Sequence, residues 1–190
     1  MPAASPFYGP AEARLRQPNL AEARQLLQES GYHGQPIQLL TNHRYPKMFD
    51  AAVLVQAMAA QIHINFEIQT LDWATQLALY NSGAYQAMSF AYSARLDPAL
   101  HFGALIGDKA HNPIKIWDTP RARALLRQSI EAADPATRQA AFDALQADFM
   151  REVPGIVLFN SGRITALRNN VIGYQGWPAA QQRLWDVAIR

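Results

Sequence analysis

Three short clusters carry the side chains best suited to chemistry. His43, Arg44 and Tyr45 stand together, Asp72 and Trp73 form a second pair, and Tyr92, Ser93, Arg95 and Asp97 a third. Guanidinium groups grip carboxylates in a bidentate fork, and aromatic faces cover the apolar parts of a ligand. Together they suit the holding of an organic anion. Each also has an ordinary structural role: exposed loop charges, half-buried rim aromatics, Asp72 as a helix cap, Trp73 packed on a sheet, and Asp97-Pro98 as a turn. For catalysis the best-placed base is His43, with Asp72 or Asp97 as its partner in a small α/β hydrolase. The spacing does not demand that pairing. Ser89 and Ser93 lack the small-residue turn of a nucleophile elbow, and neither a P-loop nor a GxGxxG stretch is present. The histidines His33, His43, His63, His101 and His111 do not form a metalloprotease pair. With no cysteine, thiolate metal sites, disulfides and Cys nucleophiles are excluded. Neither a metal nor a cofactor is expected.

The elements that must position these residues follow from periodicity. After an irregular, proline-bearing lead-in over residues 1–18, Asn19 caps a helix with Glu22 set for a capping box. Its apolar stripe is Leu20, Ala23, Leu26 and Leu27, and Gly31 stops it. IQLLT after Pro36 reads as a strand. A loop leads to a helix that Asp50 can cap, with Ala51, Leu54, Val55, Met58 and Ile62 on one face. INFEIQT alternates with period two, a strand with one wet face near a sheet edge. Asp72 caps a third helix ending at Gly83, and AMSFAY is apolar on both faces, as a central strand is. Strand, helix, strand, helix, strand makes two βαβ units with parallel pairing. The fold class is therefore α/β with a mainly parallel sheet. Ligands bind such sheets beyond the carboxyl ends of the strands, where the three clusters fall, and Arg44 and Arg95 are expected on one rim.

Past a loop over residues 93–113, holding at most one helical turn, Pro120 and Asp134-Pro135 start two helices. The first has Ala122, Leu125, Leu126, Ser129 and Ile130 on one side; the second has Phe142, Leu145 and Phe149 inside. IVLFN and RITALR read as late strands, and the tail has no clear period.

Composition narrows the class of protein. The 190 residues are 49% apolar and 17% charged, which excludes intrinsic disorder and leaves room for a core. The 17 basic and 15 acidic residues are spread along the chain, so no patch for nucleic acid is expected. MPAASPFYGP lacks the basic start and apolar core of a signal peptide.

The motifs, taken in order, carry a resemblance. NLAEARQLLQESGY, IQLLT, the run from Ala51 through the Asp72-Trp73 turn to Phe90, YSARLDP, ADPATRQAAFDALQADFMREVPGIVLF and VIGYQGWP cover residues 19–178. In order and spacing the chain resembles the C-terminal portion of bacterial extracellular solute-binding proteins of dipeptide, oligopeptide and nickel ABC importers. The resemblance implies a three-layer α/β lobe of the type II periplasmic-binding-protein kind over 19–178. The tail, 179–190, would return toward a first lobe missing from this chain. It implies a non-catalytic, periplasmic protein that closes two lobes on a peptide or similar small solute and docks on a permease. Glutathione-like molecules, opines and metal chelates are further ligand classes it allows. Arg44 lies where such proteins carry an arginine for the ligand carboxylate. Arg95 falls where dipeptide and oligopeptide binders carry an aspartate for the α-amino group, and Tyr92 where a tryptophan is usual. That departure favours an anionic ligand group at this lobe, with Asp97 as the alternative charge. The six expected ligand contacts are Arg44, Tyr45, Trp73, Tyr92, Arg95 and Asp97. A lobe face lacking its partner also suggests self-association.

Overall fold

The computed structural model describes residues 5–13, 17–162, 164–177 and 182–190. Parts of the lead-in (1–4 and 14–16), Arg163 of the RITALR stretch, Pro178 and the start of the tail lie outside the described residues. In chain order the first elements are α1 (Pro10–Ala13), α2 (Leu20–Glu29), β1 (Ile37–Thr41), α3 (Pro46–Ala60), β2 (Phe66–Thr70), α4 (Trp73–Ser82) and β3 (Ala87–Met88). Then come α5 (Pro98–Leu105), α6 (Pro120–Glu131), α7 (Pro135–Glu152), β4 (Val171–Ile172) and β5 (Ala188–Ile189). They form two compact units. One is Leu15–Ala91 with Asp108–Ile114; the other is Met1–Arg14, Tyr92–Gly107 and Lys115–Arg190.

The first unit holds a parallel sheet of order β2-β1-β3, with β1 paired to both neighbours. Leu39 and Leu40 of the central strand are buried, whereas β2 at the edge keeps Glu67 and Gln69 in solvent. The βαβ reading therefore holds. Beyond β1 the chain goes to one side through α3, then returns across it through α4. Right-handed crossovers place those helices on opposite faces and make the carboxyl end of β1 the point where the strand order reverses. Asp72 caps α4 as expected, accepting from the Thr75 amide at 3.0 Å, and Gly83 ends it at φ 68°.

Three expectations in this unit are corrected. Asp50 caps nothing; α3 begins four residues earlier at Pro46, whose fixed φ suits the first helical position. β3 is two residues long rather than six, and it flanks β1, which takes the central place expected of it. Beyond Met88 only the Ser89 amide still bonds Leu40, and side chains take over the pairing. α2 caps on Asn19 as expected, yet none of its residues is buried, so its stripe is a surface feature.

The second unit is built on α5, α6 and α7. Phe102, Ile106, Trp117, Ala122, Phe142, Leu145 and Phe149 form its core, with Phe7 packed against it. Phe142 and Leu145 are fully buried, as their spacing predicts. α6 turns Ala122 and Ser129 inward but leaves Ile130 exposed. The loop ahead of α6 contains the two-turn helix α5. Residues 1–18 are not wholly irregular, since α1 makes one turn there. IVLFN and the described part of RITALR form no strand; Ile156 is 76% and Ile164 98% exposed. Period-two sequence makes a strand only where another strand offers its edge. The tail supplies an unforeseen antiparallel pair, β4 with β5.

Candidate functional site

The loop leaving the central strand is fixed from below by buried amides. The Asn42 side-chain amide donates to Gln76 Oε1 at 2.6 Å and to Met48 Sδ at 3.2 Å. Its Oδ1 accepts the Tyr45 backbone N–H at 2.9 Å. Gln76 donates on to the Ser89 carbonyl at 3.0 Å, and the Ser89 hydroxyl donates to the Met48 carbonyl at 2.7 Å. One network thus joins the ends of β1 and β3 to α3 and α4. Asn42 and Gln76 are wholly buried, so each such bond forms in a low dielectric, where an unmade one is costly. Thr41 Oγ1 beside them is buried without a hydrogen-bond partner among the described residues.

On this base His43, Arg44 and Tyr45 project into solvent. The Arg44 guanidinium lies 5.8 Å from the Tyr45 ring centroid. Tyr45 meets Trp73 edge-on at 5.0 Å, Trp73 stacks on Phe90 at 5.7 Å, and Phe90 stacks on Tyr80 at 4.3 Å. A row of four rings therefore runs from buried Tyr80 to exposed Tyr45 and ends beneath a cation. Of the expected contacts, the fold brings Arg44, Tyr45 and Trp73 together. Trp73 does pack, and its packing aligns it with the other rings.

Tyr92, Arg95 and Asp97 belong to the other unit. Asp97 caps α5 through the Ala99 amide at 2.9 Å and accepts twice from Arg138 Nη2, at 2.8 and 2.9 Å. Arg138 itself lies over Phe7 and Phe142 and donates to the Ser129 carbonyl. The Asp97 carboxylate thus ties α5 to α7. The Arg95 side chain is exposed, and its backbone N–H donates to His101 Nε2 at 3.3 Å. Burial pushes the His101 imidazole below its ordinary value, and accepting that N–H also requires an unprotonated Nε2.

The hydrolase alternative finds no assembled base. His43 packs its ring on Phe49 at 4.2 Å and makes no hydrogen bond to Asp72 among the described residues. The Thr75 hydroxyl and amide hold the Asp72 carboxyl below the usual range, so it acts as a cap. Asp97 is engaged by Arg138. Groups of three or more metal-ligating side chains are absent among the described residues.

Sequence reasoning missed Asn42, Gln76 and Ser89. A signal existed for Gln76. It falls between Trp73 and Tyr80 on the inward face of α4, where a lone amide in an apolar stripe needs a buried partner.

Comparisons with known proteins bear on this arrangement. The family profile "Bacterial extracellular solute-binding proteins, family 5 Middle" matches residues 1–113. The chain is 28% identical to Di/tripeptide-binding protein 4 of Pseudomonas aeruginosa, over 99% of its own length and 38% of that protein's. It is 26% identical to the probable ABC transporter periplasmic-binding protein SapA of Escherichia coli, covering 85% of itself and 31% of SapA. Among solved structures, the oligopeptide-binding protein AppA of Bacillus subtilis, in complex with a nonapeptide, superposes with a TM-score of 0.75 at 17% identity. That match covers 98% of this chain and 40% of AppA. The fold is thus that of a portion of a type II periplasmic binding protein. The chain spans about two fifths or less of the length of each of these proteins.

Proposed function

Because the chain belongs to the family 5 bacterial extracellular solute-binding proteins, we propose that it forms one ligand-gripping part of an ABC-importer binding protein. Its solute is a peptide or similar small anion, captured without chemical change. Arg44 presents a guanidinium fork to a carboxylate, while Tyr45 and Trp73 wall the solute's apolar parts. Asp97, committed to Arg138, serves the fold rather than the ligand. The carrying observation is the Arg44–Tyr45–Trp73 cluster at the carboxyl end of β1, where an open parallel sheet takes its ligands, seated on the Asn42–Gln76 network. Names of relatives such as Di/tripeptide-binding protein 4 and SapA support peptides as solute, the periplasm as place and a permease as downstream partner.

The remaining length of such a protein supplies the second jaw, and capture proceeds by hinge closure between the two. Calorimetry with di- and tripeptides tests this. The chain alone should bind in the millimolar range or not at all, because it makes only part of the contacts. Joined to a complementary lobe from a relative, it should bind far more tightly, and Arg44→Ala should cost the pair about tenfold or more, the loss of one charge-assisted fork. Submicromolar binding by the chain alone, or an unchanged affinity in Arg44→Ala, overturns the reading. So does ester hydrolysis abolished by His43→Ala.

A further inference from the structure

A cleft of about 370 Å³ opens in the unit that holds the parallel sheet. Its loops lead into β1 and β2, so it lies at the amino ends of the strands, remote from the Arg44 loop. Leu27 and Ile62 give it an apolar floor, and Arg24, Gln28, His33 and His63 stand around it.

The charge balance of this cleft is one-sided, with Arg24 on its lining and no carboxylate. At the two helix ends beside it, backbone carbonyls are engaged. At the end of α2, the Leu26 and Gln28 carbonyls accept the Ser30 and Gly31 amides, and the Leu27 carbonyl takes the Ser30 hydroxyl. Past α3, the Ala59 carbonyl accepts Ile62 and Ile64, Ala60 accepts His63, and Gln61 accepts one Arg24 N–H at 3.3 Å. Tyr32 donates its hydroxyl to the Gln35 carbonyl and accepts the Asn65 amide. The remaining Arg24 N–H groups, one N–H on each imidazole and the Gln28 Nε2 hydrogens are donors left over. The side chains of Gln28, His33 and His63 have no hydrogen-bond partner among the described residues. None of the lining residues is acidic, and nearby Glu29 is engaged by Gln25 at 2.8 Å. The carboxyl end of α3 favours a cation beside it, which suits the Arg24 guanidinium that donates to Gln61.

The backbone adds a second observation. His63 adopts φ 66°, a left-handed conformation uncommon for a residue with a side chain. That conformation closes the end of α3, with the His63 and Ile64 N–H groups on the Ala60 and Ala59 carbonyls. Here it presents an imidazole at the rim.

We propose that this cleft is a second binding site, for a small organic anion. Its carboxylate or phosphate meets Arg24, His33 and His63, and its apolar part lies on Leu27 and Ile62. The site is independent of the Arg44 cluster and of the solute proposed there.

Amide-resolved NMR of the isotopically labelled chain tests it, with isovalerate, acetate and inorganic phosphate as probes and sodium chloride holding ionic strength constant. Saturable shifts should cluster at residues 24–34 and 61–64. Saturation by isovalerate assigns the site to carboxylates, with acetate several-fold weaker for lack of an apolar body. Saturation by phosphate assigns it to phosphoryl groups. Arg24→Gln should weaken the preferred probe by about five-fold or more, and His33→Gln, on a loop outside the helices, should weaken it in a chain that keeps its fold. Arg44→Ala should leave it unchanged. The proposal is overturned if no probe saturates, if chloride alone gives the same shifts, or if His33→Gln and Arg24→Gln both leave the response intact. A saturable response to Zn²⁺ with none to the anions overturns it as well.

Discussion

The Asn42 carboxamide makes three hydrogen bonds while wholly buried, and the position of Tyr45 depends on one of them. Asn42→Leu is close in size and keeps none of these bonds, leaving the Gln76 amide oxygen and the Tyr45 N–H short of partners. It should cost about 2–3 kcal/mol, the desolvation penalty of buried groups left unpaired, read from urea unfolding. Trp73 lies edge-on to Tyr45, so near-UV circular dichroism should change with it; an unaltered spectrum and midpoint would refute the role. His101 gives a pH-dependent expectation. Its folded value is lowered, so the unfolded chain binds protons more readily. The contribution is fully present above the ordinary histidine value near 6.5 and is lost as pH falls through the lower folded one. Thermal melts between pH 7 and 5 should show the decline, and His101→Gln should flatten it. Arg44, Tyr45 and Trp73, which the fold brings together, were legible because their loops follow strands that periodicity locates. The amides beneath them were not, since Asn42, Gln76 and Ser89 converge from positions that local spacing does not relate.

At the scale of elements, caps were the most legible feature. Asn19, Asp72 and Asp134 each accept the backbone amides expected of them, because a cap is settled within four residues. Pro46 overrode Asp50 by the same local logic, applied to a residue better fitted to start a helix. Hydroxyl and amide bonds from Thr75 and Thr137 hold the Asp72 and Asp134 carboxyls below their ordinary value. Both contributions persist above that value, near 3.8, and fade as pH drops through the folded ones. Replacing both threonines by valine should soften the acid limb of the unfolding curve below about pH 4, while leaving neutral-pH helicity nearly unchanged. The late strands were illegible for a different reason: pairing is a property of two segments. β4 and β5 are each two residues long, too short for a pattern, and they meet across a tight approach. Gly173 sits at φ 78° with the Asp186 carbonyl 1.9 Å from where a Cβ would stand. Gly173→Ala should therefore break this ladder, at about 1–3 kcal/mol of local strain. Faster exchange with deuterium of the Arg190 amide, which donates to the Asn170 carbonyl, would register the break.

At the scale of the molecule, burial is uneven. The helical unit has a dense aromatic core, yet much of the chain after α7 stays out of it. Val153, Ile156, Val157, Leu158 and Phe159 are all more than half or about half exposed, as are Leu184, Trp185 and Ile189. A residue-by-residue reading sees strands there; in the folded chain they are apolar surface. On the proposed function, the second jaw has somewhere to attach. Val157→Lys should leave the core-dependent melting temperature within a degree or two while lowering the light scattered by concentrated samples.

Uncovered, the Ile156–Phe159 run is also a hazard. Four consecutive branched or aromatic residues without a charge or proline can stack with their own copies as readily as with a rightful neighbour. Such a run limits how long, and at what concentration, the 190-residue chain stays dispersed. A host making it by itself would need a chaperone to sequester that stretch, or would find the protein in inclusion bodies.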